Sequence, residues 1–201
     1  MENKKPRMSI KSSQVTALVD FFGELRSETD RAAVILGASK LDILLYQILQ
    51  KYMLPCSTSN DELFEGEGPL SPLSAKINLV YRLGIIDASC SRALHLIRRI
   101  RNDFAHEASG GSLNSGAHLD RLKVLFSPFV SMDSYKKLRD GLLAGGKILP
   151  STEFRVVLAM LVVFLEIIFN SIEPLVPTTF PLGMLVRNLD RKEGEESKGQ
   201  T

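Results

Sequence analysis

The stretch AAVILGASKLDILLYQILQKYM, residues 32–53, decides the fold class. Its apolar side chains recur every three or four residues, as they do on the buried side of an amphipathic helix. The residues of this stripe are Val34, Ile35, Ala38, Leu41, Leu45, Ile48, Leu49 and Tyr52. A stripe of this length predicts one long helix with a core-facing side, and Pro55 marks its end.

Helical spacing continues on both sides of this stretch. Gly84 ends one predicted helix as a C-cap glycine, and Asp87 opens the next. Five segments belong to this group: 15–26, 73–84, the helix that begins after Asp87, and the shorter candidates 117–126 and 133–145. Between them, 57–72 is rich in glycine and proline and predicts a structured loop, and 109–116 predicts a surface loop.

The most apolar segment lies near the C-terminus. Ser151 is the predicted N-cap of a helix that carries Glu153 in its first turn and runs to about Ile172, before Pro174 and Pro177. No alternation of apolar and polar residues indicates a strand anywhere in the sequence. The sequence therefore predicts an all-α protein, with a single compact domain of about seven helices over residues 12–186.

The two ends of the chain have a different composition. Residues 1–11 are basic and polar, and residues 187–201 are charged and lack apolar anchors. Such segments cannot bury enough apolar surface to fold. We expect a flexible N-terminus and a disordered charged tail.

Composition limits the classes of function. The 201 residues are 44% hydrophobic, and 25 Lys and Arg against 23 Asp and Glu give a net charge of +2. Any basic surface must therefore be local. The N-terminus has no apolar segment that would indicate a secretory signal, so we expect a cytoplasmic protein. The apolar run 156–165 is shorter than the roughly 18–20 residues that span a bilayer, and we expect no membrane association.

The cysteines and histidines give no sign of a metal or cofactor. Cys56 and Cys90 are far apart and belong to no CxxC motif. His95 and His118 have no partner at metal-ligand spacing and are predicted to be surface residues. We predict neither a metal nor a cofactor.

The stretch LIRRIRNDFAHE, residues 96–107, is the candidate functional segment. On a helix, Ala93, Leu96, Ile97, Ile100 and Phe104 form one apolar side. His95, Arg98, Asn102 and His106 lie roughly opposite. Arg101 lies beside the apolar side, about 140° from His106, so one helix cannot bring these two together without distortion. Two copies of the chain could, which predicts a homodimer with this helix near the two-fold axis.

Arg92, Arg98, Arg99 and Arg101 form a basic group with two interpretations. They could contact the phosphates of a nucleic acid. Alternatively, they form a solvated helix face that Asp103 and Glu107 partly neutralise, with His106 capping the helix end. The sequence interleaves no exposed aromatic residue with these arginines, and it contains no recognisable helix-turn-helix.

Within this segment, residues 101–106, RNDFAH, resemble the RxxxxH motif of the HEPN superfamily of all-helical domains. The resemblance implies a metal-independent endoribonuclease that acts as a dimer. In such an enzyme His106 would be the general base on a ribose 2′-hydroxyl, Arg101 would hold the scissile phosphate, and Asn102 would orient the pair.

A longer segment, 63–107, resembles the mannitol operon repressor family, in its acidic Gly-Gly-Pro-Leu loop, its KINLVYRLGII helix end and its later Arg/Asn/His turn. This resemblance implies an all-helical regulator without a helix-turn-helix. Two functions remain open. The first is a regulator that acts through protein partners, with transcription of a sugar operon as its target. The second is a HEPN-type ribonuclease, a toxin or defence effector, with RNA as its substrate.

Overall fold

The computed structural model describes residues 11–106 and 111–177, and in these ranges it contains seven α-helices and no strand. They are α1 (Ser12–Ser27), α2 (Asp30–Tyr52), α3 (Leu73–Arg82), α4 (Ala88–His106), α5 (Gly116–Phe126), α6 (Asp133–Leu143) and α7 (Pro150–Ser171). The predicted all-α class and the number of helices are confirmed. The predicted tail, and all of the N-terminal segment except Lys11, lie outside the described residues.

Helices α2 and α7 form the centre of the core. Helix α2 contacts α1, α3, α4 and α7, whereas α7 contacts α1, α2, α5 and α6. The predicted stripe of α2 is buried except for Ile35 and Tyr52, which are half-buried. Because these two helices carry the longest apolar surfaces, every other helix packs against one or both of them.

Gly37 allows α2 and α7 to approach closely. A Cβ atom at this position would lie 2.0 Å from Cδ2 of Leu158 and 2.7 Å from its Cγ. Leu158 is fully buried, so its side chain cannot move away without displacing other core residues. The glycine is therefore required by helix packing rather than by a turn.

We expect Gly37→Ala to lower the free energy of unfolding by about 1–3 kcal/mol, the usual penalty for overpacking a core. Gly23→Ala is the matched control, because Gly23 also lies in a helix but a Cβ there would meet nothing within 4 Å. The control should stabilise the protein by about 0.5–1 kcal/mol, since alanine favours a helix. Urea denaturation measures both changes, and equal stability of Gly37→Ala and wild type would contradict the close approach.

The start of α7 differs from the prediction. Ser151 is not the N-cap: Leu149 is, and Pro150 is the first residue of the helix, where its missing N–H is harmless. Ser151 is buried, and its N–H donates to Oδ1 of Asn114 at 3.0 Å. The Asn114 Nδ2 donates to the Ser151 hydroxyl at 3.1 Å. The loop before α5 therefore fixes the start of α7 from outside the helix.

Within the described ranges, one helix is long and apolar enough to cross a membrane by length and composition, and it is α2 rather than α7. Half of its most apolar window is buried inside the fold. The core helix of a protein that does not span a membrane can also meet these criteria of length and composition. Helix α2 packs against four other helices, as a core helix does.

Candidate functional site

Helix α4 presents the two sides that the sequence predicts. The carboxylate of Asp87 accepts a hydrogen bond from the Cys90 N–H at 2.8 Å and so caps the start of the helix. On the apolar side Ala93, Ile97, Ile100 and Phe104 are buried, as is Leu94, and Leu96 is half-buried. On the other side Asn102 is half-buried and His106 is exposed. The predicted assignment of faces is confirmed.

We call Arg92, Arg98, Arg99 and Arg101 the arginine face. Three of them are exposed, and Arg98 is half-buried. Among the described residues, no carboxylate lies within 4 Å of any of these four guanidinium groups. In the part of the chain that the structure describes, no ion pair compensates their positive charge, which is therefore left to solvent and counterions.

In the second interpretation Asp103 partly neutralises this face, but the structure shows no ion pair between Asp103 and these arginines. Asp103 forms an ion pair with Arg121 of α5 instead. Helix α5 packs against α4, and the pair with Arg121 links Asp103 to this neighbouring helix. Glu107, the other predicted acidic neighbour, lies outside the described residues.

The arginine face borders a cleft of about 340 Å³ between α2, the start of α3 and α4. The cleft is lined by Ala38, Ser39, Asp42, Ser71, Pro72, Leu73, Ser74, Arg98, Arg101 and Asn102. Arg101 donates a hydrogen bond from Nη1 to Oδ1 of Asn102 at 3.2 Å. Two of the predicted site residues, together with Arg98, therefore share one polar cleft.

A second depression lies on the other side of Arg98. It is lined by Tyr81, Ala88, Ser91, Arg92, His95, Leu96, Arg98 and Arg99. Tyr81 comes from α3 and is 42% exposed. The expectation that no exposed aromatic residue lies among the arginines is wrong, because the neighbouring helix supplies one that the sequence of α4 cannot show.

His95 lies in this second depression and is half-buried. Its Nε2 forms a hydrogen bond of 3.0 Å with Oδ1 of Asn78. Burial lowers the pKa of His95, and the nearby charges of Arg98 and Arg99 lower it further. A neutral imidazole that donates to the Asn78 carbonyl oxygen is consistent with these surroundings.

His106 is separate from the cleft. It is the last residue of α4, is exposed, and does not line the cleft that contains Arg101 and Asn102. A single chain therefore does not assemble Arg101, Asn102 and His106 into one concave site. The angular separation predicted from the helix repeat fits this arrangement.

His118 is not a surface residue, in contrast to the prediction. It is buried, and its ring stacks on Phe104 with the ring centroids 4.6 Å apart and the planes at 24°. This contact joins α5 to the buried side of α4. Within the described ranges, no group of three His, Cys, Asp or Glu residues is placed to hold a metal ion.

A groove of about 320 Å³, which the sequence did not predict, lies between α1 and α2, with α7 as its floor. We call it the α1–α2 groove, and it is lined by Ala17, Asp20, Phe21, Glu24, Leu36, Ser39, Lys40, Ile43, Val162 and Glu166. Leu36 is 42% exposed and Ile43 is 53% exposed. Both are apolar residues of α2 that lie outside its buried stripe. Apolar residues at such positions are the feature of the sequence that could have indicated this groove.

Acidic side chains predominate at the rim of the α1–α2 groove. Asp20 and Glu24 project from α1 and are exposed. Glu166 of α7 forms an ion pair with Lys40 of α2 at 3.6 Å. Three carboxylates and one lysine therefore surround the exposed Leu36 and Ile43, and the groove combines an apolar centre with a net negative rim.

Comparison with known proteins agrees with one of the two resemblances. No family model matches the sequence. Over 77 residues, the chain is 27% identical to the mannitol operon repressors of Escherichia coli K12 and Escherichia coli O6:H1. The match covers 38% of this chain and 40% of each repressor, so it spans less than half the length of these relatives.

The solved structure of the Escherichia coli MtlR–HPr complex shows the same fold. The TM-score is 0.52 at 17% sequence identity, over 75% of this chain and 97% of the matched chain. The likeness thus extends well beyond the segment of sequence similarity. It confirms the all-helical fold, because the helices of this chain are arranged as in the matched chain of that complex.

Proposed function

We propose that this protein is a regulatory protein that acts by binding a partner protein, and that the α1–α2 groove is its binding surface. The observation that carries this proposal is the exposure of Leu36 and Ile43 within a groove whose rim is acidic. Large apolar side chains gathered in one concave surface and surrounded by charge are typical of protein interfaces.

The comparisons support the regulatory part of the proposal. The relatives are mannitol operon repressors, and the structural neighbour was solved in complex with the protein HPr. We infer a similar mode of action here, in which control of a sugar operon passes through a protein contact. The groove favours a partner that presents apolar side chains among lysines or arginines, because its own rim carries more carboxylates than cations.

HPr from the same organism is the first partner to test. We expect Ile43→Lys to weaken its binding roughly tenfold or more, since the change removes an apolar contact and places a positive charge in front of a basic partner. Val124→Lys is the matched control: Val124 is 51% exposed and lies on α5, outside the groove. Calorimetric titration measures both affinities. Equal binding by the two variants would exclude the α1–α2 groove as the interface.

The alternative, a HEPN-type ribonuclease, is not favoured by a specific feature of the described residues. Arg101 and Asn102 share a cleft that His106 does not line, so a nuclease site would need a second copy of the chain. An RNA-cleavage assay in EDTA tests this alternative. We expect no cleavage that depends on His106. If cleavage leaves 2′,3′-cyclic phosphate ends and is lost in both Arg101→Ala and His106→Ala, the nuclease replaces the regulator as the proposed function.

A further inference from the structure

The cleft between α2, the start of α3 and α4 has the composition of an anion-binding site. Arg98 and Arg101 line it from α4, and no carboxylate among the described residues lies within 4 Å of either guanidinium group. The Nε atom of Arg98 is buried and has no hydrogen-bond acceptor among the described residues. A buried N–H without an acceptor is unfavourable, and a small shift of the Arg98 side chain toward an anion in the cleft would satisfy it.

The start of α3 adds donors from the opposite wall. Pro72 is the N-cap of α3 and provides no side-chain cap. The backbone N–H groups of Leu73 and Ser74, which both line the cleft, have no acceptor in the described part of the chain. Free N–H groups at a helix start bind phosphate and similar anions, and the helix dipole favours negative charge there.

Among the described residues that line the cleft, Asp42 is the one that is acidic, and a lysine compensates its charge. Lys76 is buried, and its Nζ lies 2.9 Å from Oδ1 of Asp42 and donates to the Ser71 carbonyl oxygen at 3.0 Å. The carboxylate therefore does not cancel the charge of the arginines. The Asp42 carboxylate is a hydrogen-bond acceptor at the end of the cleft that α2 forms. Ser39 lines the same end, so a ligand hydroxyl can bind there.

We propose that this cleft binds a small molecule that carries a phosphomonoester group and at least one hydroxyl group. The phosphate binds to Arg98, Arg101 and the N–H groups at the start of α3. The hydroxyl-bearing part extends toward Asp42 and Ser39. A cleft of about 340 Å³ is large enough for a phosphate and a few further heavy atoms. A cleft of this volume, with a paired carboxylate rather than further cations at one end, favours a small phosphomonoester over a nucleic-acid strand, whose successive phosphates need an extended basic surface.

This site shares Ser39 with the α1–α2 groove, but the residues that bind the phosphate do not belong to that groove. The experiment titrates the full chain with glycerol 3-phosphate, with inorganic phosphate, and with glycerol as the uncharged control. Calorimetry measures affinity, and thermal denaturation measures stabilisation by the ligand. A single-stranded RNA oligonucleotide is added as a competitor.

We expect saturable binding of glycerol 3-phosphate, weaker binding of phosphate and none of glycerol. Arg98→Gln and Arg101→Gln should each weaken binding roughly tenfold, as expected for loss of a charge-assisted hydrogen bond. Ser74→Asp should abolish binding while preserving or raising stability, because a carboxylate favours the first turn of a helix but repels phosphate. Arg92→Gln is the matched control, since Arg92 lies on the same helix outside the cleft, and it should bind as wild type does.

Three outcomes would overturn the proposal. The first is no saturable binding of either phosphate compound by the folded wild-type chain. The second is equal weakening in Arg92→Gln and Arg98→Gln, which would show diffuse attraction to the arginine face rather than a site. The third is RNA that binds more tightly than glycerol 3-phosphate and loses affinity in Ser74→Asp, which would assign the cleft to nucleic acid.

Discussion

Arg155→Ala is expected to lower the free energy of unfolding by about 3–5 kcal/mol, the usual effect of removing one partner of a buried charge pair. Arg155 lies in the first turns of α7 and is only 6% exposed. Its side chain joins the corner between α1 and α2 to the start of α7. No other described arginine is buried to this degree.

The guanidinium group of Arg155 has an acceptor for each of its nitrogen atoms. Nε donates to the Leu25 carbonyl oxygen and Nη2 to that of Glu28, both at 2.8 Å. Nη1 donates to the Ser151 carbonyl oxygen at 2.8 Å and to Oδ1 of Asp30 at 3.0 Å. Without Arg155, three carbonyl groups and a carboxylate would each lose one donor in a partly or fully buried position.

Two further variants make this test specific. Arg155→Lys keeps the charge, but an ammonium group cannot reach all four acceptors in the same plane, so we expect intermediate stability. Arg26→Ala removes an exposed arginine at the end of α1 and should change stability by less than about 0.5 kcal/mol. Denaturant unfolding measures all three variants. A stability of Arg155→Ala close to that of Arg26→Ala would show that the network contributes little.

Phe104→Ala is expected to have an effect of similar size, about 3–5 kcal/mol, because it empties a buried aromatic site. Phe104 is fully buried on α4 and stacks on His118 of α5. For a chain of this length the loss corresponds to a decrease in Tm of roughly 6–20 °C. Differential scanning calorimetry measures the change.

Asn102→Ala is the control for Phe104→Ala, since Asn102 lies on the other side of the same helix and is half-buried. It should leave Tm within about 2 °C of the wild-type value, as expected for a site outside the core. An unchanged Tm in Phe104→Ala, or an equal decrease in both variants, would mean that the apolar side of α4 does not stabilise the fold.

Most of the helices could be predicted from the sequence because local signals define them. The stripe of α2 is periodic over more than five turns, and the end of α3 is marked by Gly84, whose φ of +71° is a conformation that glycine adopts readily. Asp87 opens α4 with the hydrogen bond that its side chain predicts. Each of these features involves residues that are near one another in the chain.

The features that the sequence could not show depend on contacts between distant segments. Arg155 was not singled out, because an arginine is rarely buried and three of its four acceptors lie 125–130 residues earlier in the chain. His118 was assigned to the surface because a short helix does not reveal which side meets Phe104. Ser151 was assigned as an N-cap because its local sequence allows that role, whereas Asn114 from another loop binds it instead.

The candidate site was predictable only in part, for the same reason. The arginine face can be recognised in the sequence of one segment, and three of its residues are exposed and one is half-buried. The cleft that includes Arg98 and Arg101 also needs α2 and the start of α3, and the α1–α2 groove needs three helices. No single helix carries enough of either surface for periodicity to reveal it.

Calorimetric titration of the wild-type chain with HPr from the same organism tests whether this protein regulates by binding a partner protein. We expect saturable binding with one HPr per chain and a Kd in the micromolar range or tighter, about −8 kcal/mol or more favourable. The titration is run at two temperatures, because an interaction whose enthalpy is zero at one temperature gives heat at the other. No binding heat at either temperature, at roughly 100 µM protein, would contradict the proposed partner binding.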